Sequence, residues 1–154
     1  MNTSILFFAL LWRTVVTYLA LGLLVLAVLA LLRTLGMNLL PPEVAATAGF
    51  IKFKPTLMYA AFAVVLLSAE VGFRINLVRL VGGARLRLSA ASWRWYAFGL
   101  SALSIVMAAL NALVAATASV NTWINYKFFG ASCLLLVGIF FLASHIARTP
   151  KSDP

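Results

Sequence analysis

The sequence alternates long apolar stretches with short polar segments, and four of the apolar stretches are long enough to cross a lipid bilayer. A transmembrane helix needs about 20 predominantly apolar residues. Stretches of about this length occupy residues 15–32, 55–73, 96–120 and 126–146. The pattern therefore predicts an all-α fold, a polytopic helical membrane protein with about four transmembrane helices in a small bundle. We expect one membrane domain over residues 1–154.

A shorter apolar run, residues 5–11, precedes the first predicted span and ends at Trp12 and Arg13. Two placements fit residues 1–14: an extension of the first helix into the bilayer, or a lead-in at the bilayer surface. A cleaved signal peptide is disfavoured, because no positive charge precedes the run and the charge-free stretch after Arg13 is long for such a segment.

Prolines and short polar segments predict the connections between the spans. Pro41 and Pro42 prevent a continuous helix through residues 33–54. Pro55 suits the first turn of the helix that follows. Only residues 121–125 separate the third span from the fourth, which predicts a tight antiparallel hairpin.

The distribution of positive charge predicts the orientation in the membrane. Residues 74–95 form a basic loop with five arginines: Arg74, Arg79, Arg85, Arg87 and Arg94. If the chain has four spans, these five arginines lie on the same side of the membrane as Arg13, Arg148 and Lys151. Four basic residues fall on the other side: Arg33, Lys52, Lys54 and Lys127. Because cytoplasmic segments carry an excess of Lys and Arg, we expect both termini and the basic loop in the cytoplasm.

The composition supports a lipid environment and argues against nucleic acid. The chain is 64% hydrophobic and 10% charged, whereas soluble domains are roughly 45–50% apolar and about 25% charged. Its formal net charge is +9, but the basic residues flank apolar runs, where they meet anionic lipid. No basic patch lies on an independently folding segment, as nucleic-acid binding requires. The bilayer is the predicted partner.

The residues that carry enzyme chemistry are too few and too scattered for a catalytic centre. The chain has one histidine, His145, one cysteine, Cys133, and three acids: Glu43, Glu70 and Asp153. They predict neither a nucleophile–base pair nor a three-ligand metal site. We therefore expect no enzyme, no cofactor and no metal. His145 is interpreted as an interfacial residue and Cys133 as a small buried hydrophobe.

Glu70 allows two interpretations. It lies near the end of the second span, four residues before Arg74, which is the favourable order for a helical ion pair. The alternative is a small proton-coupled transporter, which would use Glu70 as its titrating carboxylate near the bilayer midplane. The nearby arginines favour the ion pair.

Asn111 and three lysines are the other polar groups close to the spans. A buried amide in hydrocarbon needs a partner on another helix, and Ala108, Ala112 and Ala116 give Asn111 a smooth helix face for close packing. Packing within the chain is favoured over self-association into a homo-oligomer. The lysines at 52, 54 and 127 lie beside aromatic residues and are expected to anchor the helices by reaching lipid phosphates. A docking surface for an envelope partner is the alternative interpretation of the same lysines.

Several motifs in the second half resemble the intracellular septation protein A family, also called the YciB family. The block Phe50 to Thr56, FIKFKPT, and the segment Trp123 to Gly130, WINYKFFG, carry most of the likeness. Trp93 and Asn111 also match residues of that family. The motif positions singled out as interaction residues are Lys52, Lys54, Pro55, Trp93, Asn111, Trp123, Asn125, Lys127 and Gly130.

The resemblance covers about residues 49–147 and implies a multi-pass protein of the bacterial inner membrane. It implies roles in septation, envelope biogenesis and envelope integrity, with cell-division and peptidoglycan-synthesis membrane proteins as partners and no catalytic residues. Family members usually have five spans, whereas only 49 residues precede Phe50. The comparison therefore predicts a divergent or N-terminally shortened member.

Overall fold

The structure is a computed structural model that describes residues 2–36, 47–81, 83–86 and 88–148. Four helical segments in these ranges are long and apolar enough to cross a membrane, which confirms the predicted helical membrane fold. The described residues contain no strand. In chain order the elements are α1 (Thr3–Thr34), α2 (Ala48–Gly72), α3 (Leu77–Leu80), a 3-10 turn (Gly83–Leu86), α4 (Ala90–Thr117), α5 (Val120–Asn125), a π-helical turn (Tyr126–Gly130) and α6 (Ala131–Arg148).

Helix α1 is continuous from Thr3 to Thr34, so residues 5–14 extend the first predicted span as helix. The Asn2 side chain caps the helix by accepting a hydrogen bond from the Ser4 amide. At a rise of about 1.5 Å per residue its 32 residues are roughly 48 Å long. Arg13 is buried within the bundle, and its guanidinium donates to the Ala9 carbonyl one turn earlier.

Helix α2 begins earlier than the apolar pattern predicts. Its N-cap is Thr47, whose hydroxyl accepts from the Phe50 amide, so the lysines at 52 and 54 belong to the helix. The expectation that Pro55 occupies the first turn is therefore wrong, because Pro55 lies inside α2. The predicted proline break at Pro41 and Pro42 lies outside the described residues.

The hairpin between the third and fourth spans is tighter than predicted. Helix α4 ends at Thr117 and α5 begins at Val120, where the Ser119 hydroxyl caps it by accepting from the Thr122 amide. Residues 121–125, expected to form the turn, are helical. The helix then continues through the π-helical turn into α6, so residues 120–148 form one span.

The core lies where α4 meets the other three long helices. Helices α2 and α4 form the most extensive pair, and α6 packs on α4 and α1. Glycines allow close approach of α4 and α6: a Cβ at Gly99 would overlap the Leu142 side chain, and one at Gly138 would lie 2.6 Å from Leu103 Cδ2. Beyond Leu21 no residue of α1 is fully buried, so this half presents apolar side chains outward.

Candidate functional site

A buried amide joins three helical segments at the end of the bundle that carries the lysines, called here the lysine end (Lys52, Lys54 and Lys127). Asn111 in α4 is 1% exposed. Its Nδ2 donates to the Lys52 carbonyl oxygen at 2.9 Å and to Thr56 Oγ1 at 2.8 Å, both in α2. Its Oδ1 accepts from Trp123 Nε1 at 3.3 Å. The sequence predicted a buried amide, and the structure satisfies it within the chain.

Lys52 reaches across from α2 to the C-terminus of α4. Its Nζ donates to the Ala115 carbonyl at 3.1 Å and to the Ala118 carbonyl at 2.7 Å. The last carbonyls of a helix lack intrahelical partners and carry partial negative charge, so an ammonium is favourable there. Two of the three Lys52 donors are thus used by the protein. Lys52 therefore links two helices, and its role as a lipid anchor stays a prediction.

The other two lysines lie over aromatic rings and are exposed. Lys54 Nζ is 5.4 Å from the centroid of the Phe50 ring. Lys127 Nζ is 5.3 Å from the Trp123 ring and 5.8 Å from the Phe128 ring. A cation over a ring face is attracted by the ring quadrupole. The two ammonium groups are therefore held at the surface of the lysine end.

The π-helical turn shapes the surface around Lys127. Asn125 precedes the turn, is exposed, and has no side-chain capping bond. Gly130 ends the turn, and a Cβ at this position would lie 2.7 Å from Cδ2 of the Tyr126 ring. Glycine therefore allows the ring to lie against the backbone. Phe128 and Phe129 project outward from the turn, 64% and 71% exposed.

Glu70 lies at the opposite end of the bundle, called here the arginine end (Arg74, Arg79 and Arg94). It is 6% exposed. Its Oε2 accepts from Asn76 Nδ2 at 2.9 Å, and its Oε1 is 3.6 Å from Arg94 Nε. The predicted ion pair between Glu70 and Arg74 is wrong: α2 ends at Gly72 and Arg74 turns away with a φ of 55°. Sequence spacing gave no signal for Arg94, because that arginine belongs to another helix.

Aromatic rings stabilise the arginine end. Trp93 is buried, and its ring lies edge-on to Tyr96 with centroids 6.5 Å apart. The Trp93 carbonyl accepts from Asn76 Nδ2 at 2.8 Å, so one amide joins Trp93 to Glu70. His145 stacks on Trp95 with ring centroids 4.0 Å apart. Trp93, which the sequence singled out, is therefore a packing residue here.

The described residues hold little reactive chemistry. Among them no group of three or more His, Cys, Asp or Glu side chains could hold a metal ion. Glu43, Asp153, Arg87 and Lys151 lie outside the described residues, as does the side chain of Arg85. Cys133 is exposed, so its interpretation as a buried residue is wrong. Glu70 belongs to the last turn of α2, and the transporter hypothesis, which needs a carboxylate at mid-span, is not supported.

Comparisons with known proteins confirm the family resemblance. Residues 44–153 match the model of the family described as Intracellular septation protein A. A protein of Delftia acidovorans named Inner membrane-spanning protein YciB is 38% identical over 104 residues, which are 68% of this chain and 52% of that protein. A protein of the same name from Cupriavidus metallidurans is 38% identical over 106 residues, 66% of this chain and 59% of that protein.

A third similar protein, again named Inner membrane-spanning protein YciB, comes from Coxiella burnetii and is 34% identical over 99 residues, 64% of this chain and 55% of that protein. The chain thus spans between 52% and 59% of the length of these three curated relatives. No solved structure matches it.

Proposed function

This chain belongs to the intracellular septation protein A family, and from that premise we propose that it supports cell septation, envelope biogenesis and envelope integrity. It does so without catalysis, as a multi-pass protein of the bacterial inner membrane that binds membrane proteins of division and peptidoglycan synthesis. Both termini and the arginine end face the cytoplasm, following the excess of positive charge there. The lysine end then faces the periplasm, where the cell wall is made.

The observation that carries the proposal is the exposed aromatic and basic surface at the lysine end, formed by Lys127, Phe128 and Phe129. Lys127 is held over Trp123, and Trp123 is itself anchored to Asn111. Lys127, held in this way, loses little conformational entropy on binding, and aromatic residues such as the exposed Phe128 and Phe129 are enriched in protein interfaces. The surface therefore suits recognition of another membrane protein near the outer bilayer surface.

Photo-crosslinking in living cells tests this surface. A photoreactive amino acid replaces Phe128 or Phe129 in one set of strains and Val137 in the control strain. Val137 is 66% exposed on α6, close to the exposure of Phe128 and Phe129, but it lies about two turns further along the span. We expect identified division or wall-synthesis proteins to be captured from positions 128 and 129 and not from 137.

The same experiment distinguishes the alternatives. Capture of a second copy of this chain from positions 128 and 129 would assign the surface to self-association and contradict the proposal. Equal capture from position 137 would also contradict it, because the recognition would then not reside at the lysine end. As a functional check, Lys127→Ala should weaken complementation of a septation defect while the protein accumulates normally, whereas Lys54→Ala should not.

A further inference from the structure

A cavity of about 890 Å³ opens at the arginine end, between the end of α2, α3 and the start of α4. Charged and polar side chains line part of it: Glu70, Arg74, Asn76, Arg79 and Arg94. The lining residues include three arginines and one glutamate, so the lining carries a net charge of about +2, since arginine stays protonated at every physiological pH. A cavity of this size and sign fits an anionic group.

Two of the three guanidinium groups are available to a ligand. Both carboxylate oxygens of Glu70 are used, one by Asn76 Nδ2 and the other by Arg94. The guanidinium groups of Arg74 and Arg79 make no hydrogen bond or ion pair with any residue that the structure describes. Guanidinium forks match the oxygens of phosphate and bind them by paired, charge-assisted hydrogen bonds.

The backbone and the packing around the cavity fix the positions from which the Arg74 and Arg79 side chains extend. Arg74 has a φ of 55°, in the left-handed region that non-glycine residues rarely occupy. The next amide, that of Ile75, donates to the Ala69 carbonyl at 2.8 Å and closes this turn. Arg79 packs its stem on Gly83, where a Cβ would lie 2.9 Å from Arg79 Cγ.

The apolar residues of the lining favour a lipid over a soluble phosphate as the ligand. Val71, Ile75 and Leu80 line the same cavity and are exposed large hydrophobic residues. The cavity lies at the ends of membrane-spanning helices, where lipid headgroups and the first acyl carbons are found. Basic pockets of this kind at the ends of transmembrane helices bind anionic headgroups.

We propose that this cavity is a binding site for the phosphate of an anionic phospholipid headgroup, with Arg74 and Arg79 as its ligands and Val71, Ile75 and Leu80 in contact with the acyl chains. Glu70 pairs with Arg94, and Asn76 joins Glu70 to the Trp93 carbonyl, so these contacts hold the wall of the cavity in place. The site is at the opposite end of the bundle from the proposed partner surface, so the two proposals stand or fall separately.

Native mass spectrometry of the purified full chain in detergent tests the site. The protein is titrated with phosphatidylglycerol, with zwitterionic phosphatidylcholine, and with soluble glycerol 3-phosphate. We expect phosphatidylglycerol to bind at least about tenfold more tightly than either of the other two. The Arg74→Gln and Arg79→Gln variants should each bind phosphatidylglycerol about tenfold more weakly than the wild type, because each loses one set of charge-assisted hydrogen bonds to the phosphate.

Arg148→Gln is the matched control, because Arg148 is an exposed arginine in the last turn of α6 that does not line the cavity. It should leave the affinity for phosphatidylglycerol unchanged. Equal weakening in all three variants would overturn the proposal, because binding would then depend on net charge alone. Equal affinity for glycerol 3-phosphate and phosphatidylglycerol would overturn the assignment to a lipid. Circular dichroism of each variant checks that the helices are intact.

Discussion

Replacing Asn111 by Ala should loosen the contact between α2 and α4. The substitution removes the two hydrogen bonds to Lys52 and Thr56 in α2, and it leaves the Trp123 indole N–H without its acceptor. Hydrogen bonds between membrane helices contribute on average about 0.6 kcal/mol each, so three of them give roughly 2 kcal/mol. We expect the free energy of unfolding to fall by about this amount.

Unfolding in mixed micelles of a mild detergent and dodecyl sulfate, followed by far-ultraviolet circular dichroism, measures the change. Ser101→Ala is the matched control: Ser101 lies in the same helix and is equally buried, but its hydroxyl donates only to the Ala97 carbonyl of its own helix. Alanine also favours the helix, so this variant should be close to wild type. If Asn111→Ala costs no more than Ser101→Ala, the amide does not join the helices and the reasoning fails.

Two further substitutions test other helix contacts in the same unfolding assay. Gly99→Ala should cost about 1–3 kcal/mol, because the new methyl group overlaps the buried Leu142 side chain, which must then adopt another rotamer in a packed contact. Gly72→Ala, with no atom within 4 Å of the new Cβ, should cost less, and equal effects would argue against steric packing. Thr14→Val should cost about 0.6 kcal/mol, the average for one hydrogen bond between membrane helices, because it removes the 2.6 Å hydrogen bond to the Tyr96 hydroxyl. A double-mutant cycle with Tyr96→Phe should show coupling, and zero coupling would contradict the bond.

The number of spans was predictable from the sequence because lipid imposes length and apolarity on every span. The helix ends were not, since they depend on capping. Thr47 and Ser119 begin helices by accepting a backbone N–H, and a hydropathy pattern cannot register that bond. Two lysines therefore fell outside the predicted second span, and Pro55 was expected at its start.

The partners of the polar side chains were predictable only when they were near in sequence. The depth of Asn111 followed from its place in an apolar stretch, but its partners in α2 are 55 and 59 positions away. For Glu70, helical spacing predicts an ion pair with Arg74, the nearest basic residue in the sequence, whereas the structure pairs Glu70 with Arg94. Such contacts form only where two helices lie side by side, and which helices are neighbours depends on the packing of all four spans.

The bond from Lys52 to the end of α4 has a consequence for biogenesis. Lys52 precedes Ala115 by 63 positions and Ala118 by 66, so α2 leaves the ribosome long before the carbonyls that receive its ammonium exist. During synthesis that charge must stay in contact with water or headgroups. The bond that joins α2 to the end of α4 can therefore form only after α4 has been synthesised.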